Sequence, residues 1–575
     1  MPILFLIPAR GCSKGFSGKN LALLSGIPLV GHAVRTACAA ARTLSESRVV
    51  CSTDDASIAQ VAQEWGAEVP FIRPAYLATD EAKSLDVVLH ALEAIGGEFE
   101  AVILLQPTSP LTEPRDILGA VELFRQTGGP LVSVCRAEHP LEWHFRMDNK
   151  RRMIPILPGS GAYQRQMIES SYRPNGAIFI ASIAQIRKGG FWTPETRGYI
   201  MPAERSIDVD LAEDLEIAKA FLAAQPVPSI EIAGRKVGPV HPCFIIAEAG
   251  VNHNGSLDMA MQLVDAAASA GADAVKFQTF RADRLLTRNA PKATYQKEST
   301  GNDESQYDML RRLELDEEVF RTLKTYSEDR GLVFLSTPFE DDSADFLETL
   351  DLAAYKIPSG EITNLPFLTH VGRKGRPMLV STGMATMNEI SRAVESIRSA
   401  GCRELALLQC VSAYPADPSD ANLTVMANLA GSFRVPVGYS DHTLGIEVAL
   451  AAVAFGACVL EKHFTIDRSL PGPDHRASAE PDELAALVVG VRKVEAARGS
   501  GIKRLVNAEA DTVKVSRKSL VAAKDIPKGA ILDSSMVTVR RPGTGMAPNR
   551  ADEVLGRKAL RQILEGAILT REMFE

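Results

Sequence analysis

The chain has 575 residues, a formal net charge of −8 and 46% hydrophobic residues. At about 150 residues per domain, this length predicts several domains, each able to bury a core. The composition excludes wholesale disorder and a fibrous chain, and the mild acidity argues against a nucleic-acid partner. We expect no membrane partner, because no long uncharged apolar stretch is present, and eight scattered cysteines without a CxxC pair favour a reducing cytoplasm.

Roughly the first 225 residues alternate short β-branched runs with amphipathic stretches such as residues 29–41. This alternation is typical of an α/β sheet domain. Two prolines within residues 224–230 end a helical run and stiffen the chain, so we assign residues 1–226 to the first domain. The predicted strands are ILFLIPA, RVVCSTD, AVILLQPTSP, PLVSVCR and NGAIFIA.

From Phe244 onward, eight apolar strand candidates are each followed by a helical pattern or a long loop. Eight β/α units in about 260 residues predict a (β/α)8 TIM barrel, here over residues 232–505. Polar residues gather at the C-terminal ends of these runs, where such barrels carry their chemistry. The polar stretch 281–313 is too long for an ordinary connection and is a candidate lid. The candidates are FIIAEAG, AVKFQTF, LVFLSTPF, AYKIPSG, PMLVSTG, LALLQCVSAYP, VPVGYSDH and CVLEKHF.

Beyond about Val515 the helical patterns stop, and short β runs alternate with turns such as IPKG and RPGTG. This pattern predicts a small β-rich domain over residues 514–575. Its basic residues outnumber its acidic ones, which suits contact with the acidic remainder of the chain or with an anionic substrate. The predicted strands are SLVAA, AILD, MVTVRR and GAILT.

The loop IPARGCSKGFSGKN, residues 7–20, directly follows the first strand and combines glycines with Arg10, Lys14 and Lys19. Glycines let backbone N–H groups approach phosphates, and the three cations would neutralise them. The loop lacks the glycine and hydroxyl positions of a Walker A motif. A solvated basic turn is the simpler interpretation, but basic residues at this sheet edge favour phosphate.

Asp208 and Asp210 alternate along an extended segment, so both carboxylates point the same way and could share a divalent cation. An Asp-x-Asp pair is a weak signal by itself. Asp210 as a helix N-cap is the alternative interpretation.

The first domain contains five motifs in this order: IPARGCSKG…KN, RPAYLATD, QPTSPL, YRPNGAIFI and DVD. In these motifs it closely resembles the CMP-sialic acid synthetases, also called acylneuraminate cytidylyltransferases. The resemblance implies that a nonulosonic acid attacks the α-phosphate of CTP and releases pyrophosphate. It also implies that Mg²⁺ lies on Asp208 and Asp210 and that Arg10 and Lys19 are catalytic. It implies nucleotide contacts by Arg10, Ser13, Lys14, Lys19, Asn20, Arg73 and Gln106, and sugar-acid contacts by Gln106 and Arg173. Cys12 stands where the family commonly has a small residue or an amide.

The rim of the predicted barrel carries side chains of three kinds. Lysines and hydroxyls suit a phosphate, carboxylates supply an acid and a base, and two histidines could share a metal. A lone rim histidine is usually structural, but two on adjacent strands opposite lysines favour ligands. In order, the rim residues are Glu248, His253, Lys276, Gln278, Thr337, Lys356, Ser359, Glu361, Ser412, Tyr414, Ser440, His442, Glu461 and His463.

The barrel region strongly resembles the sialic acid synthases. The resemblance lies in seven runs: IAEAGVNHNG, AVKFQTF, KIPSGE, SAYP, GYSDHT, HFT and GPDHRAS. The run VSRKSLVAAKDIPKG…RRPGTG resembles the antifreeze-like (SAF) domain that ends those enzymes, so the resemblance extends from about Gly238 to Glu575. It implies condensation of phosphoenolpyruvate with an N-acetylated hexosamine aldehyde, either N-acetylmannosamine or a 6-deoxy diamino relative. It further implies that Mn²⁺ or Mg²⁺ on His442 and His463 polarises the aldehyde.

The same resemblance implies a role for each rim position. Phosphoenolpyruvate would be bound by Lys276, Thr337, Lys356, Ser359, Ser412 and Ser440. The catalytic residues would be Glu248, Lys356, Glu361 and Asp474. The sugar would be bound by Gln278, Glu361, Tyr414 and Arg541. Val411 departs from the family's usual threonine, which makes the phosphate contact of Ser412 less secure. Arg541 matches an arginine that reaches the sugar across a domain-swapped homodimer.

The sequence thus predicts a cytoplasmic fusion of two consecutive enzymes, a nonulosonic acid synthase and the cytidylyltransferase that activates its product. One alternative keeps both chemistries on a legionaminic or pseudaminic acid, and the GYSDHTLG and GPDHRAS runs lean towards the legionaminic type. A cytidylyltransferase for 3-deoxy-manno-octulosonate is a second alternative, disfavoured by YRPNG and by the fused synthase. A non-catalytic binding or ice-structuring protein is the third, and it would require lost ligands.

Overall fold

The computed structural model describes residues 2–12, 16–44, 46–157, 168–301 and 304–575. The chain forms two compact units, residues 1–497 and residues 498–575. The α/β class is confirmed, and the boundaries at residues 226–232 and 505–514 stay predictions. In the described part of the chain, no helix is both long and apolar enough to cross a membrane.

The N-terminal part of the first unit is a mixed sheet flanked by helices. Its strands are β1 (Ile3–Pro8), β2 (Leu23–Leu24), β3 (Ile27–Pro28), β4 (Arg48–Ser52), β5 (Ala101–Leu105), β6 (Leu131–Arg136), β7 (Phe145–Met147), β8 (Met153–Pro155), β9 (Tyr172–Ser182) and β10 (Arg197–Ile200). Its helices are α1 (Leu29–Ala41), α2 (Ala56–Glu64), α3 (Ser84–Ile95), α4 (Pro114–Thr127), α5 (Ile183–Lys188) and α6 (Ala212–Ala224). All five predicted strands and the helix over residues 29–41 are confirmed.

Six of these strands form the central sheet, in the order β10-β6-β9-β5-β1-β4. Strand β9 runs antiparallel between β5 and β6, while the other pairs are parallel. The sheet separates two apolar clusters, which explains why β5, AVILL, is buried along its whole length. Because β1 and β5 are parallel, Arg10 and Gln106 follow their strands at the same edge of the sheet.

The barrel begins with a hairpin of β11 (Ile230–Ile232) and β12 (Arg235–Val237). Its eight strands are β13 (Phe244–Gly250), β14 (Ala274–Thr279), β15 (Val333–Pro338), β16 (Tyr355–Ile357), β17 (Met378–Ser381), β18 (Leu405–Cys410), β19 (Val437–Asp441) and β20 (Val459–His463). Its helices are α7 (Leu257–Ala270), α8 (Ala282–Leu285), α9 (Thr294–Thr300), α10 (Gln306–Arg311), α11 (Glu317–Asp329), α12 (Asp341–Thr349), α13 (Leu365–Arg373), α14 (Met387–Ser399), α15 (Val425–Phe433), α16 (Glu447–Ala454) and α17 (Pro481–Arg498).

The eight barrel strands are hydrogen-bonded in the order β15-β14-β13-β20-β19-β18-β17-β16, so the sheet is nearly closed and each predicted strand is confirmed. Ile230, Ile232 and Val237 of the hairpin pack against apolar residues of the barrel strands, including Phe244 at the start of β13. The hairpin therefore covers the N-terminal end of the barrel. The candidate lid, residues 281–313, contains the three short helices α8, α9 and α10.

The C-terminal unit has its own apolar core, which includes Leu520, Ile526 and Leu569. It contains α18 (Ala510–Ser516) and an antiparallel pair of β21 (Ser519–Ala522) and β22 (Val537–Arg540). The predicted strands AILD and GAILT make only isolated bridges, at Ile531 and Ile568. Both runs begin at or just after a turn and make further backbone hydrogen bonds, such as Leu569 N to Leu520 O, without forming a continuous ladder.

Candidate active sites

A cavity of about 370 Å³ lies at the edge of the first sheet where β1 and β5 end. It brings together seven of the side chains expected there: Arg10, Lys19, Asn20, Arg73, Gln106, Asp208 and Asp210. Ser13 and Lys14 lie outside the described residues. Arg173 is exposed at the start of β9 and does not line this cavity.

The cations of this first cavity are held by carboxylates. Lys19 Nζ lies 2.9 Å from Asp210 Oδ1, and Arg10 Nη2 lies 2.7 Å from Asp80 Oδ1. Asn20 donates to the backbone oxygen of Arg10 at 2.9 Å, which fixes the loop beneath the cavity. An entering triphosphate would exchange these exposed ion pairs for charge-assisted bonds of its own.

Asp208 is half-buried, whereas its neighbour Asp210 is exposed. The Oδ1 atom of Asp208 has no hydrogen-bond partner among the described residues. Burial raises the pKa of Asp208, and nearby Asp210 adds to the rise, although a hydrogen bond from Thr108 opposes it. A divalent cation would satisfy the orphaned oxygen and offset the repulsion between the two carboxylates, so the pair fits Mg²⁺.

Arg73 is buried at the base of the first cavity. Its Nε donates to Ser52 Oγ at 3.0 Å, and its Nη2 donates to the Ser52 backbone oxygen. Burial lowers the pKa of this guanidinium. Arg73 is thus a positive charge held in place by β4 before any ligand arrives.

A second cavity, of about 470 Å³, opens at the C-terminal end of the barrel. Of the expected rim residues all but His253 line it, together with Asp474: Glu248, Lys276, Gln278, Thr337, Lys356, Ser359, Glu361, Ser412, Tyr414, Ser440, His442, Glu461, His463 and Asp474. His253 is instead fully buried outside the cavity lining, where its Nδ1 accepts from Gly255 N at 3.0 Å, so its placement at the site was wrong. The convergence follows from the topology, because parallel strands end at the same rim.

Strand register sets the central contacts of this barrel cavity. Glu248 pairs with Lys276 on β14 and with His463 on β20, which places the three side chains in one layer. Lys276 Nζ donates to Glu248 Oε1 at 2.6 Å and to Thr337 Oγ1 at 3.0 Å. Burial raises the pKa of Glu248, but His463, Lys276 and Lys356 together lower it well below its usual range, so this carboxyl is ionised.

Glu461 lies between the two buried lysines. Its Oε1 is 3.4 Å from Lys356 Nζ and its Oε2 is 3.5 Å from Lys276 Nζ. Burial lowers the pKa of Lys356, whereas the carboxylates around Lys276 outweigh burial and raise its pKa. The two ammonium groups form a patch of hydrogen-bond donors suited to a phosphate.

Hydroxyl groups complete this patch. Ser412 Oγ is buried and has no partner among the described residues, and Ser359 Oγ accepts from Gly383 N at 3.0 Å. A Cβ at Gly383 would lie within 3 Å of both hydroxyl oxygens, so any larger residue would displace them. Ser440 Oγ donates to Glu461 Oε1 at 2.8 Å. Unfilled hydrogen-bonding capacity at Ser412 is what a phosphate oxygen would use.

His442 and His463 lie with ring centroids 5.3 Å apart. His442 Nδ1 bonds to Val411 O at 2.7 Å, and His463 Nδ1 is buried without a partner in the described structure. Within those residues, no group of three or more His, Cys, Asp or Glu side chains is arranged to hold a metal. The two histidines therefore fit a divalent metal only as a pair of nitrogen ligands, the other positions being left to water or substrate.

The carboxyl groups of the barrel cavity differ in their ease of ionisation. Burial and the charge of Glu248 raise the pKa of Asp474 to about 7, despite the opposing effect of His442. Burial also raises the pKa of Glu361, although Asn364 donates to it at 2.7 Å. Asp474, which gains and loses its proton near neutral pH, is suited to acid–base chemistry.

Sequence reasoning missed Tyr295 as part of the cavity. It comes from α9 in the candidate lid, and its ring lies 5.0 Å from that of Tyr414, which in turn lies 4.2 Å from the His442 ring. The sequence signal was a tyrosine within a polar insertion. The position of this tyrosine depends on how the three short helices of the candidate lid pack over the cavity, which the sequence pattern does not indicate. Ser381, whose hydroxyl accepts from Lys356 at 2.7 Å, was missed as well.

Arg541 belongs to the C-terminal unit. It directly follows β22 and is exposed. Its expected contact with a sugar stays a prediction.

Comparisons with known proteins identify three regions in order. Residues 4–149 match a cytidylyltransferase profile, residues 263–503 match the NeuB family, and residues 517–575 match the SAF domain. The chain is 46% identical over 328 residues to an N,N'-diacetyllegionaminic acid synthase of Campylobacter jejuni, which covers 57% of this chain and 98% of that protein.

Two further relatives extend this match. An N,N'-diacetyllegionaminic acid synthase of Legionella pneumophila is 44% identical and covers 60% of this chain and 99% of the relative. A pseudaminic acid synthase of Campylobacter jejuni is 36% identical and covers 58% of this chain and 96% of the relative. The resemblances drawn from the motifs are confirmed: the chain belongs to the NeuB family and is a bifunctional enzyme in which a cytidylyltransferase domain precedes a NeuB-type synthase domain and a SAF domain.

Proposed function

We propose that the barrel condenses phosphoenolpyruvate with a diacetamido 6-deoxy hexose to give a legionaminic-type nonulosonic acid. The N-terminal part then activates this acid with CTP to give the CMP-sugar and pyrophosphate. The choice of sugar follows the relatives: two named for N,N'-diacetyllegionaminic acid are 46% and 44% identical, whereas one named for pseudaminic acid is 36% identical.

The observation that carries the proposal is the composition of the barrel cavity. Lys276 and Lys356 share Glu461, and the unpartnered hydroxyl of Ser412 lies in the same cavity as the paired His442 and His463. One side of the cavity thus suits the phosphate of phosphoenolpyruvate. The histidine pair suits the carbonyl oxygen of the second substrate.

The barrel residues would act in sequence on the two substrates. C3 of phosphoenolpyruvate attacks the C1 aldehyde carbon, whose oxygen takes up a proton to become a hydroxyl; a water adds to C2, and phosphate leaves with the C2–O bond electrons. Asp474, whose pKa is about 7, removes a proton from that water, and ionised Glu248 holds Lys276 against the phosphate. A divalent metal on His442 and His463, Mn²⁺ or Mg²⁺, would polarise the aldehyde.

In the first cavity, Arg10, Lys19 and Arg73 would bind and orient the triphosphate of CTP. The nonulosonic acid attacks the α-phosphorus through its anomeric oxygen, and pyrophosphate leaves. Mg²⁺ on Asp208 and Asp210 would offset charge on the phosphoryl oxygens. Asn20 keeps the loop in position through its bond to Arg10 O.

We further propose a domain-swapped homodimer in which Arg541 of one chain completes the sugar site of the other. The support is the motif match and the exposure of Arg541 on a compact unit with its own core.

N-Acetylmannosamine, which would give N-acetylneuraminic acid, is the second candidate sugar. Its support is the N-acetylneuraminate skeleton in the name of the human relative, an N-acetylneuraminate-9-phosphate synthase that is 38% identical and whose named product carries an additional phosphate. The two candidates differ in the group at C4, an acetamide or a hydroxyl, and in the group at C6.

Product mass after incubation with phosphoenolpyruvate, CTP and a divalent metal tests the proposal. N-Acetylmannosamine and the diacetamido 6-deoxy hexoses are supplied in turn. We expect the mass of a CMP-diacetyllegionaminic-type product with the matching hexose. A product from N-acetylmannosamine alone would select the second candidate, and no product from any sugar would refute both.

A further inference from the structure

A third cavity, of about 500 Å³, lies between the N-terminal part and the barrel within the first unit. It shares no lining residue with either candidate active site. We name it the arginine cleft, after Arg35 of α1, Arg398 of α14 and Arg434, which directly follows α15.

The arginine cleft exists because the two parts of the unit pack together. Helix α1 and residues 110–114 form one wall, and helices α14 and α15 form the other. Ser432 Oγ donates to Ser25 O at 2.7 Å, and Arg434 Nη2 lies 2.8 Å from Glu113 Oε1. These contacts cross the boundary between the two parts beside the cleft.

Three guanidinium groups converge on the C-terminal end of α15. Arg398 donates to Phe433 O at 2.6 Å, and Arg35 makes a long contact of 3.4 Å with Ser432 O. Arg434 is the next residue along the chain. Three like charges gathered at one point repel one another unless a counter-ion is present.

The carboxylates of the cleft do not balance these charges. Glu113 pairs with Arg434 and Arg115, and Glu395 pairs with Arg42. Across the described ranges, Arg35 and Arg398 form no ion pair. Burial lowers the pKa of Arg35 to about 10, and the charges of Arg398 and Arg434 contribute to this shift, so the site is short of negative charge.

We propose that the arginine cleft binds a small anion that carries a phosphate group. A phosphate near neutral pH bears a charge between −1 and −2, which matches the two uncompensated guanidinium groups, and its oxygens fit their forked donors. The cavity volume is that of a small-molecule site, and Leu111, Val394 and Phe433 provide apolar walls for the rest of the ligand.

The segment that follows β5 connects this cleft with the nucleotide cavity. Residues 106–108 line the first cavity, and residues 110–114 line the arginine cleft. An anion that binds the guanidinium of Arg434 would compete with Glu113 for that group. Occupation of the cleft is therefore expected to change the KM for CTP.

Helix capping is the competing explanation, because cations at a helix C-terminus stabilise its last carbonyl groups. Capping accounts for the short hydrogen bond that Arg398 donates to Phe433 O. It does not account for Arg35, whose carbonyl contact is long. The two explanations predict opposite results when Arg35 is replaced.

Thermal unfolding of the full chain with and without inorganic phosphate, at constant ionic strength, tests the proposal. We compare wild type with Arg35→Gln, Arg398→Gln and the control Arg403→Gln, an exposed arginine of the barrel outside the cleft. Without phosphate, Arg35→Gln should unfold at the same or a higher temperature than wild type, because a repelled charge is removed and the glutamine amide can still donate to His32 Nδ1, to which Arg35 donates at 3.3 Å. When phosphate is added, the unfolding temperature of wild type should rise by more than that of either cleft variant and by as much as that of the control. A loss of stability in Arg35→Gln that is the same at every phosphate concentration would establish capping and overturn the proposal.

Equilibrium dialysis with labelled inorganic phosphate provides the second readout. Phosphate bound in the two catalytic cavities is common to all variants, so wild type and Arg403→Gln should bind one more equivalent than Arg35→Gln, or bind it about tenfold more tightly. Pyrophosphate and acetate are run beside phosphate, to separate a larger phosphate ligand from a carboxylate. Equal binding by all variants, or acetate binding as tight as phosphate, would contradict the proposal. Arg398→Gln serves as the second variant if Arg35→Gln fails to fold.

Discussion

Asp208 and Asp210 illustrate how two neighbouring carboxylates differ by environment. Asp208 is partly buried with an orphaned oxygen, whereas Asp210 is exposed and pairs with Lys19. The buried member therefore depends more strongly on a cation. Lys19 remains available to a phosphate once a metal engages Asp210.

Replacement of Asp208 by asparagine should lower the rate of CMP transfer by about a hundredfold or more, because the amide carries no charge to hold a metal. Condensation in the barrel should be unchanged, since the two cavities share no residue. Separate assays with a supplied nonulosonic acid and with phosphoenolpyruvate measure the two activities. Glu213→Gln, an exposed acid of α6, is the control. If Asp208→Asn stopped both reactions in a folded protein, the assignment of the first cavity would be wrong.

The rate of condensation should depend on the ionisation of Asp474. Its pKa of about 7 means that the base form grows as pH rises through neutrality, so kcat/KM for condensation should rise over the same interval. In Asp474→Asn this rise should vanish and the rate should fall. Asp482→Asn, an exposed acid at the start of α17, should keep the wild-type profile. An unchanged pH profile in Asp474→Asn would exclude Asp474 as the base.

At the scale of elements, helix α1 carries a buried histidine at the boundary with the barrel. His32 Nε2 donates to Leu24 O at 2.9 Å, and Arg35 donates to its Nδ1 at 3.3 Å, so both nitrogens are engaged by the neutral ring. Burial, and then the charge of Arg35, lower the pKa of His32 to about 3, although the bond to Leu24 opposes the shift.

This shift predicts a loss of stability in acid. Below its ordinary pKa of 6.5, His32 binds a proton in the unfolded chain but not in the folded one until about pH 3. The free energy of unfolding should therefore fall by about 1.4 kcal/mol per pH unit across this window from this residue alone. His32→Gln can still donate to Leu24 O, and its urea midpoint should depend less on pH. His139→Gln, at an exposed histidine, should behave as wild type, and equal slopes for all three proteins would contradict the account.

The sequence predicted the elements well where burial dictates the residue pattern. All eight barrel strands appear because parallel strands covered on both faces read as continuous apolar runs. Their polar ends marked the barrel site, since parallel strands finish at one rim. The runs AILD and GAILT form isolated bridges rather than strands, because segments of four or five residues that start at a turn are too short for a continuous ladder here.

Register and long-range packing were beyond the sequence. The alignment of Glu248 with Lys276 and His463 depends on strand stagger, which no local pattern encodes. The position of Glu461 between two lysines follows from the same stagger. Tyr295 reached the cavity through the fold of the lid, and Arg173 lies away from the first cavity although its motif suggested a contact.

At the scale of the whole molecule, Arg541 provides a test of the proposed dimer. Arg541→Ala should raise the KM for the sugar more than that for phosphoenolpyruvate, by about tenfold, because one charged hydrogen bond is lost. Chains with Arg541→Ala are then mixed with chains carrying Lys356→Met and allowed to exchange. A mixed dimer contains one site with both a sound barrel and a sound arginine, so part of the condensation activity should regain the wild-type KM for the sugar. A mixture in which the KM for the sugar stays at the Arg541→Ala value would show that the arginine does not act across chains.

The central claim is that one chain carries two reactions in two separate cavities. The most direct test is the mass of the product formed by Asp208→Asn, by Lys356→Met and by an equal mixture of both, each given phosphoenolpyruvate, the hexose, CTP and a divalent metal. We predict that Asp208→Asn stops at the free nonulosonic acid, that Lys356→Met makes neither the acid nor its CMP derivative, and that the mixture makes the CMP-sugar. Formation of the CMP-sugar by Asp208→Asn alone, or its absence from the mixture of two folded variants, would contradict the account.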